Sequence, residues 1–310
     1  MRGPETRLAV GEADRGKRLD RWLAERIPGL SRTRIRAAIP ARVRVSWTAT
    51  AQPATPVVPG GVVFVAFEPL DELPGPIPHL TVLARGTGWF AIDKPAGMPV
   101  HPVRSARLRT VTEIVRQLGL AALPRPVHRL DRETSGVLLF AEDAATARAA
   151  GAAFACGAVD KEYFAIVRGR PARARGTIDL PIGRAAGSAV AVRLRAGVPD
   201  GRAAVTHWEV ERLLRDAAVL RIRPETGRRH QVRVHLEAIG HPILGDPLYG
   251  RPDRDYLALV RGDPDPRRSL GDPERQMLHC GSVRLDLPGA CLAASSPRPP
   301  DFEAWCAVLS

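Results

Sequence analysis

Apolar residues recur at helical spacing near the start of the chain, with Leu19, Trp22, Leu23 and Ile27 on one face, and Pro28-Gly29 ends the run. Ser31 then predicts an N-cap for a second helix, with Ile35 and Ile39 as its buried stripe and Arg32, Arg34 and Arg36 crowding its open side. The period next shortens to two: Arg42, Val43, Arg44, Val45, Ser46, Trp47 places arginines on one face of a strand and apolar residues on the other. VVFVAF at 62–67 predicts a closing strand. Residues 68–79, EPLDELPGPIPH, carry four prolines without periodicity, the pattern of a stiff extended linker. The division that follows is a small α/β module over 7–68, a Pro-rich linker over 69–79 and a second domain over 80–310.

Beyond the linker, strands are predicted at 89–94 (WFAIDK), 136–141 (GVLLFA), 162–167 (EYFAIV), 189–196 (AVAVRLRA) and 218–223 (AVLRIR), and helices over 111–118, 143–155 and 227–239. Strands outnumber helices and do not alternate with them strictly, which predicts an α+β domain with a mixed, largely antiparallel sheet. The stretch 250–275, rich in Pro, Asp and Arg, reads as an exposed loop. No fixed-period repeat is visible.

Charge changes the picture. Lys and Arg number 46 against 33 Asp and Glu, a formal net charge of +13. Such an excess favours a polyanionic partner, although a genome that favours Arg and Ala codons leaves the same composition. Placement separates the two readings: a basic helix start joined to a basic strand face within residues 32–44 forms a candidate phosphate-tracking surface. The N-terminus has no apolar signal core and no run is long enough to span a membrane, so a cytoplasmic protein without membrane contact is expected. Cys156, Cys280, Cys291 and Cys306 show no metal-site spacing and are read as reduced thiols, and no metal is expected.

The densest polar string is PVHRLDRETSGVLLFA, 126–141. Physically it is a loop that sets Asp131 between Arg129 and Arg132 and ends in a Thr-Ser-Gly turn feeding a strand. Flanking guanidinium groups keep a carboxylate ionised, and an ion-pair network bracing a surface turn would look the same. Further on, Thr226 is a fair N-cap and Gly240 a good helix stop; Val232, Leu236 and Ile239 share one face of that helix, with Arg229 and Arg233 one turn apart on another. A solvated basic face is the plain alternative. Tyr163 sits in an alternating strand, where a core position is the ordinary reading. His230, His235 and His241 lack zinc-helix spacing and read as structural hydrogen-bonding residues.

His-Arg-Leu-Asp followed by Thr-Ser-Gly resembles the signature of the RluA family of RNA pseudouridine synthases. Four further segments resemble that family in the same order: IDKPAGMPVHP (92–102), KEYFAIVRG (161–169), PETGRRHQVRVHLEAIGHPILGDPLYG (224–250) and LHCGSVRLDLPG (278–289). The N-terminal segment, through RLDRWLAERIPGLSRTRIRAAI, resembles the α-L RNA-binding module of a small-subunit ribosomal protein. It departs from that pattern at Ala41 or Arg42, where a Gly is usual, at Ser46-Trp47 in place of Asn-Gly, and at Gly60-Gly61 in place of Gly-Asp.

The resemblance implies a pseudouridine synthase fold and an isomerase that detaches uracil from its ribose, turns it and rejoins it through carbon five, without cofactor. It implies Asp131 as the catalytic aspartate, attacking the sugar or removing a sugar proton. It also implies Arg129 in the loop that displaces the target nucleotide, Tyr163 as a stacking partner or proton acceptor for the flipped base, and Arg233 as the partner of Asp131. Arg229 stands where the family has Thr. Arg32, Arg34, Arg36, Arg42, Arg44, Arg129 and Arg229 are the candidate RNA contacts. Structured RNA is the expected partner of a monomer, ribosomal RNA favoured and transfer RNA possible, hence a role in rRNA or tRNA processing. A noncatalytic ribosome-assembly protein would instead have lost the site residues. A glycoside or nucleoside hydrolase would place a second acid beside Asp131, for which Glu133 is the neighbouring candidate.

Overall fold

The computed structural model describes residues 6–27, 32–66, 78–101 and 110–310; within it, the side chains of residues 32–34 and 37 are not described. The chain divides into two compact units, residues 1–77 with 113–123, and residues 78–112 with 124–310. Ser31, the expected cap, lies outside the described residues, as does nearly all of the Pro-rich segment.

In the first unit, β1 (Thr6–Ala9), α1 (Leu19–Arg26), α2 (Arg32–Arg42), β2 (Val43–Val45) and β3 (Val62–Val65) form two helices and an antiparallel sheet ordered β1-β3-β2. The apolar stripes meet as expected: Leu19, Trp22, Leu23, Ile35 and Ile39 are fully buried with Val43, Val45, Val63 and Val65. Arg44 faces outward between Val43 and Val45. Arg42 does not join it on the strand, because the helix runs through Arg42 and the strand starts one residue later. The Ser46-Trp47 turn explains Gly61, since a Cβ there would collide with the Trp47 ring.

The second unit is a ten-stranded mixed sheet carrying helices. In chain order its elements are β4 (Val82–Gly86), β5 (Trp89–Lys94), α3 (Val111–Gln117, shared in the division with the first unit), β6 (Arg125–Pro126), β7 (Ser135–Ala141), α4 (Ala144–Cys156) and β8 (Asp160–Arg168). Then come β9 (Arg175–Asp179), β10 (Ile182–Arg184), β11 (Leu194–Ala196), β12 (Val205–Leu213), β13 (Ala217–Pro224) and α5 (Gln231–Ala238). α6 (Asp253–Arg261), α7 (Pro266–Ser269), β14 (Leu278–Leu287), β15 (Ala290–Ser295) and α8 (Pro300–Val308) complete it. The sheet order is β4-β5-β7-β14-β8-β13-β12-β9, with β15 on β14 and β6 on β7, and only β7 and β14 run parallel. β7 is buried along its whole length, as its unbroken apolar run requires.

Three expectations change. AVAVRLRA forms a strand only at its last three residues, because Asp253 accepts hydrogen bonds from the Ala189 amide and the Ser188 hydroxyl and pulls the first half off the ladder. Residues 250–275 are not an open loop: they form α6 and α7, and Arg267 is buried. The helix expected from Thr226 begins at Gln231, because the Gln231 side chain folds back onto the Thr226 hydroxyl and the Arg228 amide and holds residues 226–230 in a turn. Arg229 therefore lies off the helix that carries Arg233.

Candidate active site

The loop 127–134 and the turn before α5 face each other across a cavity of about 370 Å³, a size fit for a small ligand. Three ties to β14 and the residue pair before it fix the end of the loop. Gln276 Nε2 donates to Thr134 Oγ1 at 2.6 Å, Ser135 Oγ lies 3.0 Å from His279 Nδ1, and Gly136 has φ 107° where a Cβ would overlap the Cys280 carbonyl. The Thr-Ser-Gly string is thus a seam between two parallel strands. At the front of the loop, the Leu139 amide donates to His128 Nε2 at 3.1 Å, and burial drives that imidazole down to about 3, so it stays a neutral acceptor.

Between these anchors Asp131 reaches the cavity with 18% of its side chain exposed. Its partner is Arg233, whose Nη1 donates to Asp131 Oδ2 at 2.9 Å. Burial opposes the charge on Asp131, but the Arg233 guanidinium outweighs it and holds the carboxyl below its ordinary value. Of the flanking arginines only Arg129 adds to this, and by less than Arg233. Arg132 turns away and donates to the Gly97 carbonyl at 3.0 Å, and Arg129 is exposed at the cavity wall.

Arg233 is itself held from behind by a residue that sequence reasoning missed. Its Nε and Nη2 donate to the two oxygens of Asp246 at 2.7 and 2.9 Å, and Asp246 also accepts the amides of Leu248 and Tyr249. The guanidinium stacks over the Tyr249 ring at 4.8 Å. With two carboxylates against one buried cation, Arg233 stays protonated and aimed. Burial of Tyr249 raises its hydroxyl above the usual value, and that hydroxyl lies 2.9 Å from His230 Nδ1. His230 sits at φ 55°, the one non-glycine residue with positive φ among the described residues. The conformation brings Nε2 to 3.9 Å from Asp131 Oδ1, yet burial lowers this imidazole to about 4, so the contact is not an ion pair at neutral pH.

Tyr163 lies on β8 and lines the same cavity, packed against the core beneath it. Burial pushes its hydroxyl well above the ordinary phenol range, so the ring is neutral and a poor proton acceptor. Arg229 is exposed at the rim. Lys161 lines the cavity too, and donates to the Glu225 and Thr226 carbonyls that open the turn before α5. His235 and His241 are structural, bound to Thr206 and Leu180 and to the Arg168 carbonyl respectively.

Asp131 is the only carboxylate among the described residues that line the cavity. Glu133 points elsewhere, to Arg267 and the Gln276 amide. The paired acids of a hydrolase are therefore not assembled here. Among the described residues no cluster of His, Cys, Asp and Glu forms a metal site, and no helix is long and apolar enough to cross a membrane. In the first unit, Arg36 is 58% exposed and 3.7 Å from the buried Asp20, Arg44 lies over the Phe64 ring at 5.2 Å, and the side chains of Arg32 and Arg34 lie outside the description.

A cavity with one ionised carboxylate, an aimed cation behind it and an aromatic wall suits chemistry on a base taken out of its stack. The sequence profile of the RNA pseudouridylate synthase family matches residues 88–238. An uncharacterized RNA pseudouridine synthase of Chloroflexus aurantiacus is 35% identical, over 98% of this chain and 93% of its own. The ribosomal large subunit pseudouridine synthase D of Xanthomonas campestris is 34% identical, over 97% and 91%. The solved human RNA pseudouridylate synthase domain containing 1 superposes with a TM-score of 0.60 at 29% identity, covering 75% of this chain and 89% of that one. The chain belongs to the RNA pseudouridine synthases of the RluA type, isomerases that act on RNA.

Proposed function

We propose that this enzyme converts uridines of large-subunit ribosomal RNA to pseudouridine, with Asp131 as the catalytic residue, Tyr163 stacking on the displaced uracil and Arg233 holding Asp131 charged and aimed. The observation that carries the reading is the 2.9 Å contact between Arg233 and Asp131 at the cavity, backed by Asp246. A carboxylate that must act on a sugar carbon or its proton has to be ionised and unprotonated when the nucleotide excludes water, and a doubly held guanidinium achieves that. The neutral Tyr163 ring favours stacking over proton acceptance. Asp131, Tyr163 and Arg233 together argue against a noncatalytic assembly protein.

The choice of ribosomal over transfer RNA rests on the name of the Xanthomonas campestris relative and on the basic first unit. Arg36, Arg42 and Arg44 there, with Arg32 and Arg34 by sequence, supply phosphate contacts, while Arg129 and Arg229 meet the RNA at the cavity. We take the enzyme to be a monomer acting in the cytoplasm, where ribosomes are made. Pseudouridine mapping across ribosomal and transfer RNA, in cells with and without the gene, tests the assignment. Loss of a defined site in large-subunit RNA is expected, whereas loss confined to transfer RNA would replace the substrate.

A further inference from the structure

Behind the cavity, contacts close into a ring. The Thr134 amide donates to the Asp131 carbonyl at 3.2 Å, so the turn carrying Asp131 also carries Glu133. Arg267 Nη1 donates to both Glu133 oxygens, at 3.3 and 3.1 Å, and to the Gly245 carbonyl at 3.2 Å. Gly245 precedes Asp246, whose carboxylate grips Arg233, and Arg233 returns to Asp131. One nitrogen of Arg267 therefore joins the loop bearing the carboxylate to the loop bearing its cation's anchor. Asp265, the N-cap of α7, fixes the guanidinium from the far side at 3.1 and 3.0 Å. Neither Glu133 nor Arg267 lines the cavity, and Arg267 is only 8% exposed.

We infer that Arg267, presented by the α6–α7 segment and paired with Glu133, is a positioning residue that sets the contact between Asp131 and Arg233. The inference rests on the proposed role of Asp131. A buried cation with three acceptor groups on separate loops is costly to leave half-paired, so the loops hold one spacing. Removing it breaks the tie between the turn 131–134 and the 245–246 loop, leaves the turn held only from Gln276, and lets Asp131 drift from Arg233. Displacements near an ångström cost up to about 100-fold in rate when reacting groups must be aligned. The role of the α6–α7 segment is then to brace the site from outside it.

The test uses the full chain and an unmodified transcript of large-subunit ribosomal RNA, in single-turnover reactions at saturating enzyme, for Arg267→Met, Arg267→Lys and Glu133→Gln. The rate of Arg267→Met should fall about 10- to 100-fold while its RNA affinity stays within about twofold. The acid limb of its pH–rate profile should move upward, because Asp131 loses the cation that holds its carboxyl down. Arg267→Lys, which keeps the charge, and Glu133→Gln should fall between; they carry the test if Arg267→Met does not fold. Folded variants with the wild-type rate and acid limb would overturn the inference. Asp131→Asn in the same assay separates the two readings: if it is inactive while the Arg267 variants match wild type, the brace alone fails, and if it is active, the reading of the site fails as well.

Discussion

The two units use the same residue type in opposite ways. In the first, arginines stand on the surface: Arg36 is 58% exposed with its nearest described carboxylate at 3.7 Å, and Arg44 lies outward across Phe64. In the second, the arginines behind the cavity are enclosed. Arg233 is 6% and Arg267 8% exposed, each spanning two carboxylates. An exposed guanidinium exchanges water and counterions for phosphate with little reorganisation, so its contribution is graded, additive and screened by salt. A buried one is fixed by its partners, so its loss leaves uncompensated charge and moves what it holds. A net charge of +13 conceals this division of labour.

The comparison breaks most visibly at Arg233. Arg233→Ala should lower the single-turnover rate on the order of 10²- to 10³-fold, as loss of one preorganised donor commonly does. The sign of its pH effect follows from the burial that remains. In the wild type the Asp131 carboxyl is held below its ordinary 3.8, so no acid limb from it appears between pH 5 and 8. Without Arg233, burial outweighs the weaker pull of the remaining cations and pushes the carboxyl up, and activity should decline as pH falls through that window, as a pH–rate series will record. If the limb stays put, Arg233 does not control Asp131.

Tyr163 comes next. Tyr163→Phe keeps the ring and should remain near wild type, while Tyr163→Ala loses a stacking face worth about 1–3 kcal/mol. Single-turnover rates of the two variants decide it: equal, severe losses would make the hydroxyl essential, against its raised pKa. The smallest effects belong to the first unit. Arg44→Ala and Arg36→Ala should each weaken RNA binding severalfold and reduce the log–log salt slope by about 0.7–0.9, leaving the rate at saturating RNA unchanged. Binding isotherms across salt concentrations will show it, and an unaltered slope would remove those residues from the RNA surface.

Much of this was readable from local pattern. Period-two alternation located β2 and β8, short apolar runs located β5, β7 and β13, and the Thr-Ser-Gly string marked the end of the loop, because neighbours in sequence decide strands and turns. The pairing of Asp131 with Arg233 came from family resemblance, since nothing in spacing links residues 102 positions apart. What stayed hidden was contact across the chain. Asp246 sat inside a recognised motif with no sign that it would hold Arg233, and Arg267 lay in a stretch whose Pro and Asp content read as loop, although Asp265 and Pro266 form a legible helix start. Thr226 misled for a physical reason: its hydroxyl serves the Gln231 side chain rather than a helix amide. The left-handed turn at His230, which aims the ring at Asp131, has no glycine or asparagine to announce it.

The central claim is that Asp131 performs chemistry and does not merely brace a turn. Asp131→Asn keeps the size and some of the hydrogen bonding while deleting the charge. Its single-turnover conversion of uridine in an unmodified large-subunit ribosomal RNA transcript should be measured beside RNA affinity and thermal stability. The account predicts no detectable pseudouridine from a folded protein that binds the transcript as tightly as wild type. Substantial pseudouridine formation by that variant would contradict it.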